Sequence, residues 1–239
     1  VPSGKKVFDW KIPHEWNILD GFIQDQNGKK IADYKKNNLH IMSYSSNINK
    51  MIAFKDFKKK IYTIKNKPNT IPYVFSFYKK DWGFCMKFND YKKMDKKQKY
   101  KVFIDSKLFK GVMNYAEYII KGKSKKEILI VSYICHPSLA NNELSGPLVL
   151  IDLIQKLKSL SNNKYTIKII FIPETIGAIY YINKYLKNIK KNMILGINIT
   201  CVGKGKIFNL INSKNENTYA DKICERVLKQ NYTYKKNSF

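Results

Sequence analysis

The sequence predicts an α/β fold whose first part is rich in strands and whose second part alternates strands with helices. Up to about residue 120, apolar residues form short period-two runs separated by turn residues. From about residue 125, continuous apolar runs alternate with segments in which apolar residues recur at helical spacing. Buried strands separated by helices are typical of a parallel sheet with right-handed crossovers.

The first part contains candidate strands, one turn signal and one candidate helix. The dipeptide Asn27-Gly28 predicts a tight turn between two strands. Phe54, Phe57 and Ile61 recur at helical spacing and predict a helix over residues 51–64. The candidate strands cover residues 7–10, 18–23, 39–44, 73–78, 82–88 and 101–104.

The second part predicts a sheet with helical crossovers. Strands are predicted at 127–134, 165–172, 193–202 and 207–211, and helices at 147–160, 176–189 and 218–230. Ligands of such sheets bind at the carboxyl ends of the strands. The loops that follow the first two strands are therefore the expected place for a functional site.

The formal charge of +27 suggests nucleic-acid binding at first, because clustered basic residues displace counterions from phosphates. The lysines, however, are scattered through every segment, and Arg226 is the only arginine. A protein that recognises phosphates or bases would be expected to use arginine, whose planar guanidinium group binds them through two hydrogen bonds. We therefore interpret the charge as a solvated lysine surface and expect no specific nucleic acid partner, with nucleic-acid binding as a weaker alternative.

The four cysteines are widely spaced and form neither a disulfide framework nor a Cys-x-x-Cys metal motif. No apolar run is long enough for a membrane span, so the cytoplasm is the expected location. The chain begins with Val1 and ends at Phe239 just after a helix-like stretch, and we expect it to be a fragment.

His136 follows the first strand of the α/β part, and Glu174 follows the second. A histidine at a strand end can bind a divalent metal, and a carboxylate opposite can complete the coordination or act as a base. Asn142 and Glu143 offer further oxygen donors. In the alternative interpretation, His136 packs against its own loop, Asn142 or Ser145 caps the next helix, and Glu174 caps the helix after it.

Three segments carry a family resemblance: CHPSLANNELSGP, FIPETIGA and the opening VPSGKKVFDWKIPHEWNI. They resemble the aminopeptidase-like proteins of bacterial surface-polysaccharide loci, the DUF4910 type with an inserted DUF2172 domain, related to zinc aminopeptidases of the M28 type. The resemblance covers essentially the whole chain. It implies a β-rich inserted domain at residues 1–121. At residues 122–239 it implies the first half of a partial zinc-peptidase-like (phosphorylase/hydrolase-like) α/β sheet domain.

The resemblance also implies roles for single residues. His136 matches the first zinc ligand, and Glu174 matches the general base. Asn142 stands where the zinc aminopeptidases have an aspartate that bridges two metals, with Glu143 beside it. The metal ligands implied here are therefore His136 with Asn142 or Glu143, and the remaining family ligands, including a late histidine, are expected beyond Phe239.

Two further positions depart from the family pattern. Thr175 replaces the second of two consecutive glutamates, which is a metal ligand in those enzymes. Ser138 replaces the aspartate that orients the histidine. With fewer carboxylates, one zinc ion is expected rather than two.

The resemblance implies a zinc-dependent hydrolase of amide bonds in a small peptide or an N-acylated small molecule, with a place in surface-polysaccharide biosynthesis. The alternative is a non-catalytic binding or scaffold protein that keeps the metallopeptidase fold. The sequence leaves the oligomeric state open.

Overall fold

The structure of this protein is a computed structural model that describes residues 1–160, 162–203 and 205–239. It forms two compact units, Val1–Lys5 with Lys11–Met113, and Lys6–Trp10 with Asn114–Phe239. The strands are β1 (Lys6–Val7), β2 (Trp10–Lys11), β3 (Glu15–Gln24), β4 (Lys30–Asp33), β5 (Ile48–Ala53), β6 (Ile61–Tyr62), β7 (Phe84–Cys85), β8 (Lys99–Phe109), β9 (Ala116–Ile120), β10 (Ser124–Tyr133), β11 (Tyr165–Ile172), β12 (Met193–Asn198), β13 (Phe208–Ile211) and β14 (Tyr234–Asn237). The helices are α1 (Phe54–Phe57), α2 (Phe88–Lys92), α3 (Ala140–Glu143), α4 (Ser145–Lys158), α5 (Ile176–Asn192) and α6 (Tyr219–Asn231).

The first unit is built on an antiparallel sheet in the order β4-β3-β8-β5. Its core is a cluster of buried aliphatic and aromatic side chains that includes Ile23, Phe57, Phe84, Tyr100 and Val102. The predicted turn between β3 and β4 is confirmed, and Gly28 has the positive φ of 81° that such turns favour. The first unit is β-rich, as the period-two pattern predicts.

The predicted helix over residues 51–64 is wrong. Residues 48–53 form β5, which pairs with β8 along its length, and the helix that follows is only the four-residue α1. Phe54 and Phe57 are both buried in the core, and a single helical turn is enough to produce their spacing. Pairing with a neighbouring strand outweighed the local helical pattern. The strands predicted at 39–44 and 73–78 are reduced to isolated bridges, Ile41 with Phe84 and Ser43 with Phe75.

The second unit contains the predicted sheet with helical crossovers, in the order β12-β10-β11-β9. Strands β10, β11 and β12 are parallel, and β9 joins the edge in antiparallel orientation. Ile130 and Ile169 pack with Leu150 of α4 on one face, whereas Ile170 packs with Tyr181 of α5 on the other. Because both faces of the sheet are covered, the sequences of these strands are continuous runs of apolar residues.

The four strands and three helices predicted for this part are confirmed, with end shifts of a few residues. Within the described part of the second unit, the strands β9 and β14 were missed. β9 precedes the predicted start of the α/β part at residue 122, and the largely exposed β14 has the polar sequence YKKN. Among the described residues, no helix combines the length and the apolar character that crossing a bilayer requires.

Candidate metal centre

The two predicted loops meet at the carboxyl edge of the sheet. Tyr133, the last residue of β10, is in register with Ile172, the last residue of β11. The backbone N–H of Ile134 donates to the carbonyl of Ile172 at 3.2 Å, so the chains leave the sheet side by side. Nε2 of His136 then lies 3.5 Å from Oε2 of Glu174. The predicted proximity of these two side chains is confirmed.

The start of α4 is held close to the sheet by Gly146. A Cβ at this position would collide with the carbonyl oxygen of Ile199 and with Oγ of Ser132. Ser145 adds two hydrogen bonds, donating to the carbonyl of Asn141 at 2.5 Å and accepting from the N–H of Val202 at 3.0 Å. These contacts fix the loop that carries His136 against the end of the sheet.

The helix caps of the alternative interpretation are not seen at this edge, whereas its contact of His136 with its own loop is present, through Glu143. The N-cap residues of α4 and α5 are Leu144 and Thr175, and neither makes a side-chain capping hydrogen bond within the described part of the chain. Neither Asn142 nor Glu174 is therefore engaged as a conventional helix cap, and both remain candidates for the site.

Glu143 is bound on both of its carboxylate oxygens. Its side chain is buried, with Oε1 at 2.6 Å from Nδ1 of His136 and Oε2 accepting from the backbone N–H of Cys135 at 2.5 Å. Because an ionised carboxylate only accepts hydrogen bonds, Nδ1 is the donor in this contact, and a singly protonated imidazole then has its lone pair on Nε2. Nε2 is the nitrogen that faces Glu174, which is the arrangement of a carboxylate–histidine pair at a metal site.

Glu143 therefore makes the carboxylate contact with His136, and Ser138 stands at the position where the resemblance implies an orienting aspartate. Ser138 itself adopts a positive φ of 64° at the turn between His136 and α3. The geometry favours a positioning role for Glu143 over the direct ligation suggested by the sequence.

Asn142 belongs to a hydrogen-bond network centred on Tyr133. Its amide nitrogen donates to the Tyr133 hydroxyl at 2.7 Å, and Thr200 donates to the same hydroxyl at 2.5 Å. The ring of Tyr133 meets the ring of His136 edge-on, with centroids 6.0 Å apart. Among the described residues, Oδ1 of Asn142 is buried and accepts no hydrogen bond. A buried acceptor of this kind calls for a water or an ion.

Cys135 is the site residue that the sequence did not identify. Its Sγ lies 3.3 Å from Nδ1 and 4.0 Å from Nε2 of His136, and Sγ accepts from the backbone N–H of Glu174 at 3.3 Å. Desolvation raises the pKa of the thiol to about 12, and the carboxylates of Glu143 and Glu174 act in the same direction. Its position directly before His136, at the end of a strand, could have identified it. Spacing between cysteines does not, because Cys135 has no second cysteine close to it in the sequence.

The donor set fits zinc. Ligand atoms of Cys135, His136 and Glu174 all lie within 4.8 Å of one another. Zinc binds sulfur, nitrogen and oxygen at about 2.0–2.3 Å, so two ligands of one ion are about 3–4 Å apart. Glu174 is about half exposed, whereas His136 is only 12% exposed. Thr175, with a φ of 59°, offers no carboxylate.

The sequence over residues 1–239 matches the family described as a domain of unknown function, DUF4910. The chain belongs to this family. A relative from Clostridium acetobutylicum, whose name gives it an aminopeptidase-like domain and assigns it to polysaccharide biosynthesis, is 42% identical over 231 residues. The match covers 95% of this chain and 52% of the relative, so the chain spans about half of that protein.

Solved structures support the same family and fold. A crystal structure of a candidate peptidase from Clostridium acetobutylicum has 39% identity and a TM-score of 0.91, covering 100% of this chain and 56% of that chain. A zinc aminopeptidase from Bacillus subtilis has 13% identity and a TM-score of 0.61, covering 94% of this chain and 70% of that chain. The latter likeness concerns the fold, and the predicted fold class, similar to zinc aminopeptidases of the M28 type, is confirmed.

Proposed function

We propose that this chain carries the metal and base residues of a zinc-dependent, aminopeptidase-like hydrolase of amide bonds. The observation that carries the proposal is the line of contacts from Glu143 through His136 to Glu174 at the carboxyl edge of the sheet. It joins a buried orienting carboxylate, an imidazole nitrogen that presents its lone pair and a solvent-accessible carboxylate. Few structural roles require all three in this order.

Each residue of the proposed site has a distinct task. His136 binds zinc through Nε2, and Glu143 holds the ring in the required tautomer. Asn142 offers its carbonyl oxygen, a weaker donor than the family's bridging aspartate, which favours one ion over two. Bound zinc supplies Lewis acidity, which lowers the pKa of water and polarises an amide carbonyl. Glu174, half exposed beside Nε2, takes the proton from the attacking water.

The proposed substrate is a small peptide or an N-acylated small molecule. The peptide choice rests on the zinc aminopeptidase named among the solved structures, and a role in polysaccharide biosynthesis rests on the name of the Clostridium relative. We also propose that the β-rich region up to residue 121 is the inserted domain of the family.

The test compares wild type with Glu174→Gln in zinc binding and in hydrolysis. The substrates are a panel of aminoacyl anilides and N-acetylated amino sugars. We expect close to one zinc per chain in both proteins and a loss of turnover of about 10²–10⁴-fold in the variant, the usual contribution of a general base. Glu216→Gln, which changes an exposed glutamate in the same way, should behave as wild type. Normal turnover by Glu174→Gln would remove this residue from the mechanism.

A non-catalytic metal-binding protein is the second candidate. It is favoured by Asn142 and Thr175, which supply amide and hydroxyl groups where the related enzymes use carboxylates. In that case zinc would raise Tm, because it binds the folded state, while none of the substrates would be cleaved.

A further inference from the structure

The thiol of Cys135 lies in the same group of atoms as the proposed metal donors. Its Sγ is 3.3 Å from Nδ1 and 4.0 Å from Nε2 of His136, and Nε2 is 3.5 Å from Oε2 of Glu174. Atoms bound to one zinc ion are separated by about 3–4 Å, so an ion held by Nε2 is within reach of Sγ after small side-chain adjustments, with Glu174 beside it.

One hydrogen bond fixes the main chain of Cys135, and a second one reaches its sulfur. The backbone N–H of Cys135 donates to Oε2 of Glu143, and the backbone N–H of Glu174 donates to Sγ at 3.3 Å. Glu143 therefore positions the cysteine backbone and the histidine ring at once. A sulfur that accepts a backbone hydrogen bond, on a residue whose own main chain is fixed, has the defined position that a ligand needs.

The other loop positions offer the ion few anionic ligands. Thr175 and Asn142 contribute none, and Glu143 uses both oxygens within the protein. A thiolate supplies one charge directly to the ion.

We propose that Cys135 is a metal ligand, with its sulfur supplying the coordination that Thr175 does not. The inference rests on the proposed function, since it concerns the same ion. The thiol gives its proton to water as the bond between Sγ and the metal forms. A site with sulfur and nitrogen donors should prefer zinc or cobalt to magnesium or manganese.

Cobalt substitution tests the inference without any need for turnover. Co²⁺ bound by a thiolate gives a near-ultraviolet charge-transfer band that nitrogen and oxygen ligands do not give. The metal-free protein is titrated with Co²⁺ as wild type, Cys135→Ser, Cys201→Ser and Cys224→Ser. Cys201 is the informative control, because its Sγ lies 3.6 Å from the amide nitrogen of Asn142 and is exposed. Cys224 lies on α6 and controls for general loss of a thiol.

We expect the band in wild type and in both control variants, and its absence in Cys135→Ser. Cys135→Ser should still bind Co²⁺ at higher concentration and show weak visible bands alone, which would separate a lost ligand from a misfolded protein. Binding of Co²⁺ to wild type without the band would overturn the inference and leave the proposed function standing. A band lost only in Cys201→Ser would also overturn it. Failure of wild type to bind Co²⁺ or Zn²⁺ at all would overturn both proposals.

Discussion

At the residue scale, Glu143 connects the imidazole of His136 with the main chain of Cys135. One buried carboxylate accepts from Nδ1 of His136 and from the backbone of Cys135. It selects the imidazole tautomer whose Nε2 lone pair faces Glu174. The sequence indicates that Glu143 is an oxygen donor, but it does not indicate that His136 and Cys135 are its partners. Those contacts depend on α3, which directs the side chain of Glu143 toward the end of β10.

Replacing this residue tests its positioning role. In the Glu143→Gln variant, the amide has one acceptor oxygen for the two donors, so either the backbone donor is unpaired or the imidazole proton moves to Nε2. We expect zinc affinity to fall by about 10–100-fold, as measured by competition with a chromophoric chelator. An unpaired buried donor should also lower the free energy of unfolding by about 1–3 kcal/mol in urea titrations.

The matched control is Glu225→Gln on α6, where the carboxylate pairs with Lys229 and Lys236 at the surface. This change should leave zinc affinity unaltered. Equal zinc affinity in Glu143→Gln and wild type would exclude the positioning role.

At the element scale, the site depends on where strands end and how closely a helix approaches them. β10 and β11 end in register, which places the two loops side by side. Gly146 lets α4 pack onto the sheet at a distance that no side chain at this position would allow. The geometry of the loop between β10 and α4 follows from these two features.

A methyl group at position 146 should therefore be costly. In Gly146→Ala, the Cβ would collide with the carbonyl of Ile199 and with Ser132, and the backbone must move to accommodate it. We expect a loss of about 1–3 kcal/mol in the free energy of unfolding, typical of overpacking, together with weaker zinc binding. Urea unfolding and zinc titration would measure the two effects.

Gly196→Ala in β12 is the comparison for this substitution. Its Cβ would meet its nearest neighbours at 3.7 and 4.0 Å, which is ordinary contact. We expect a near-neutral effect there, and an equally small effect in Gly146→Ala would show that α4 has room to shift.

At the scale of the whole molecule, the charge of +27 is the most conspicuous property. Several lysines serve the fold locally: Lys168 pairs with Glu127 at 3.0 Å, and the ammonium of Lys184 lies 4.8 Å from the centre of the Tyr185 ring. Others lie exposed on both units. Exposed lysines distributed in this way attract polyanions without sequence specificity.

We expect DNA binding that depends on the salt concentration. The protein should bind duplex DNA weakly at low ionic strength, show no sequence preference, and release it at about 0.15 M salt, where exposed charges are screened. Fluorescence anisotropy with two unrelated duplexes over a salt series would measure this. Tight, sequence-dependent binding at moderate salt would instead support a dedicated nucleic-acid site.

The sequence by itself determined the parallel sheet, the helices between its strands and the identity of the edge that carries His136 and Glu174. Those features follow from the periodicity of apolar residues, which is visible along the chain without knowing which residues are in contact in the fold. Only the tertiary structure decided that residues 48–53 pair as a strand, that Glu143 turns toward His136, and that the sulfur of Cys135 lies beside His136 and Glu174. Each of these depends on atoms brought together by strand register and helix approach, and spacing along the chain does not encode such distances.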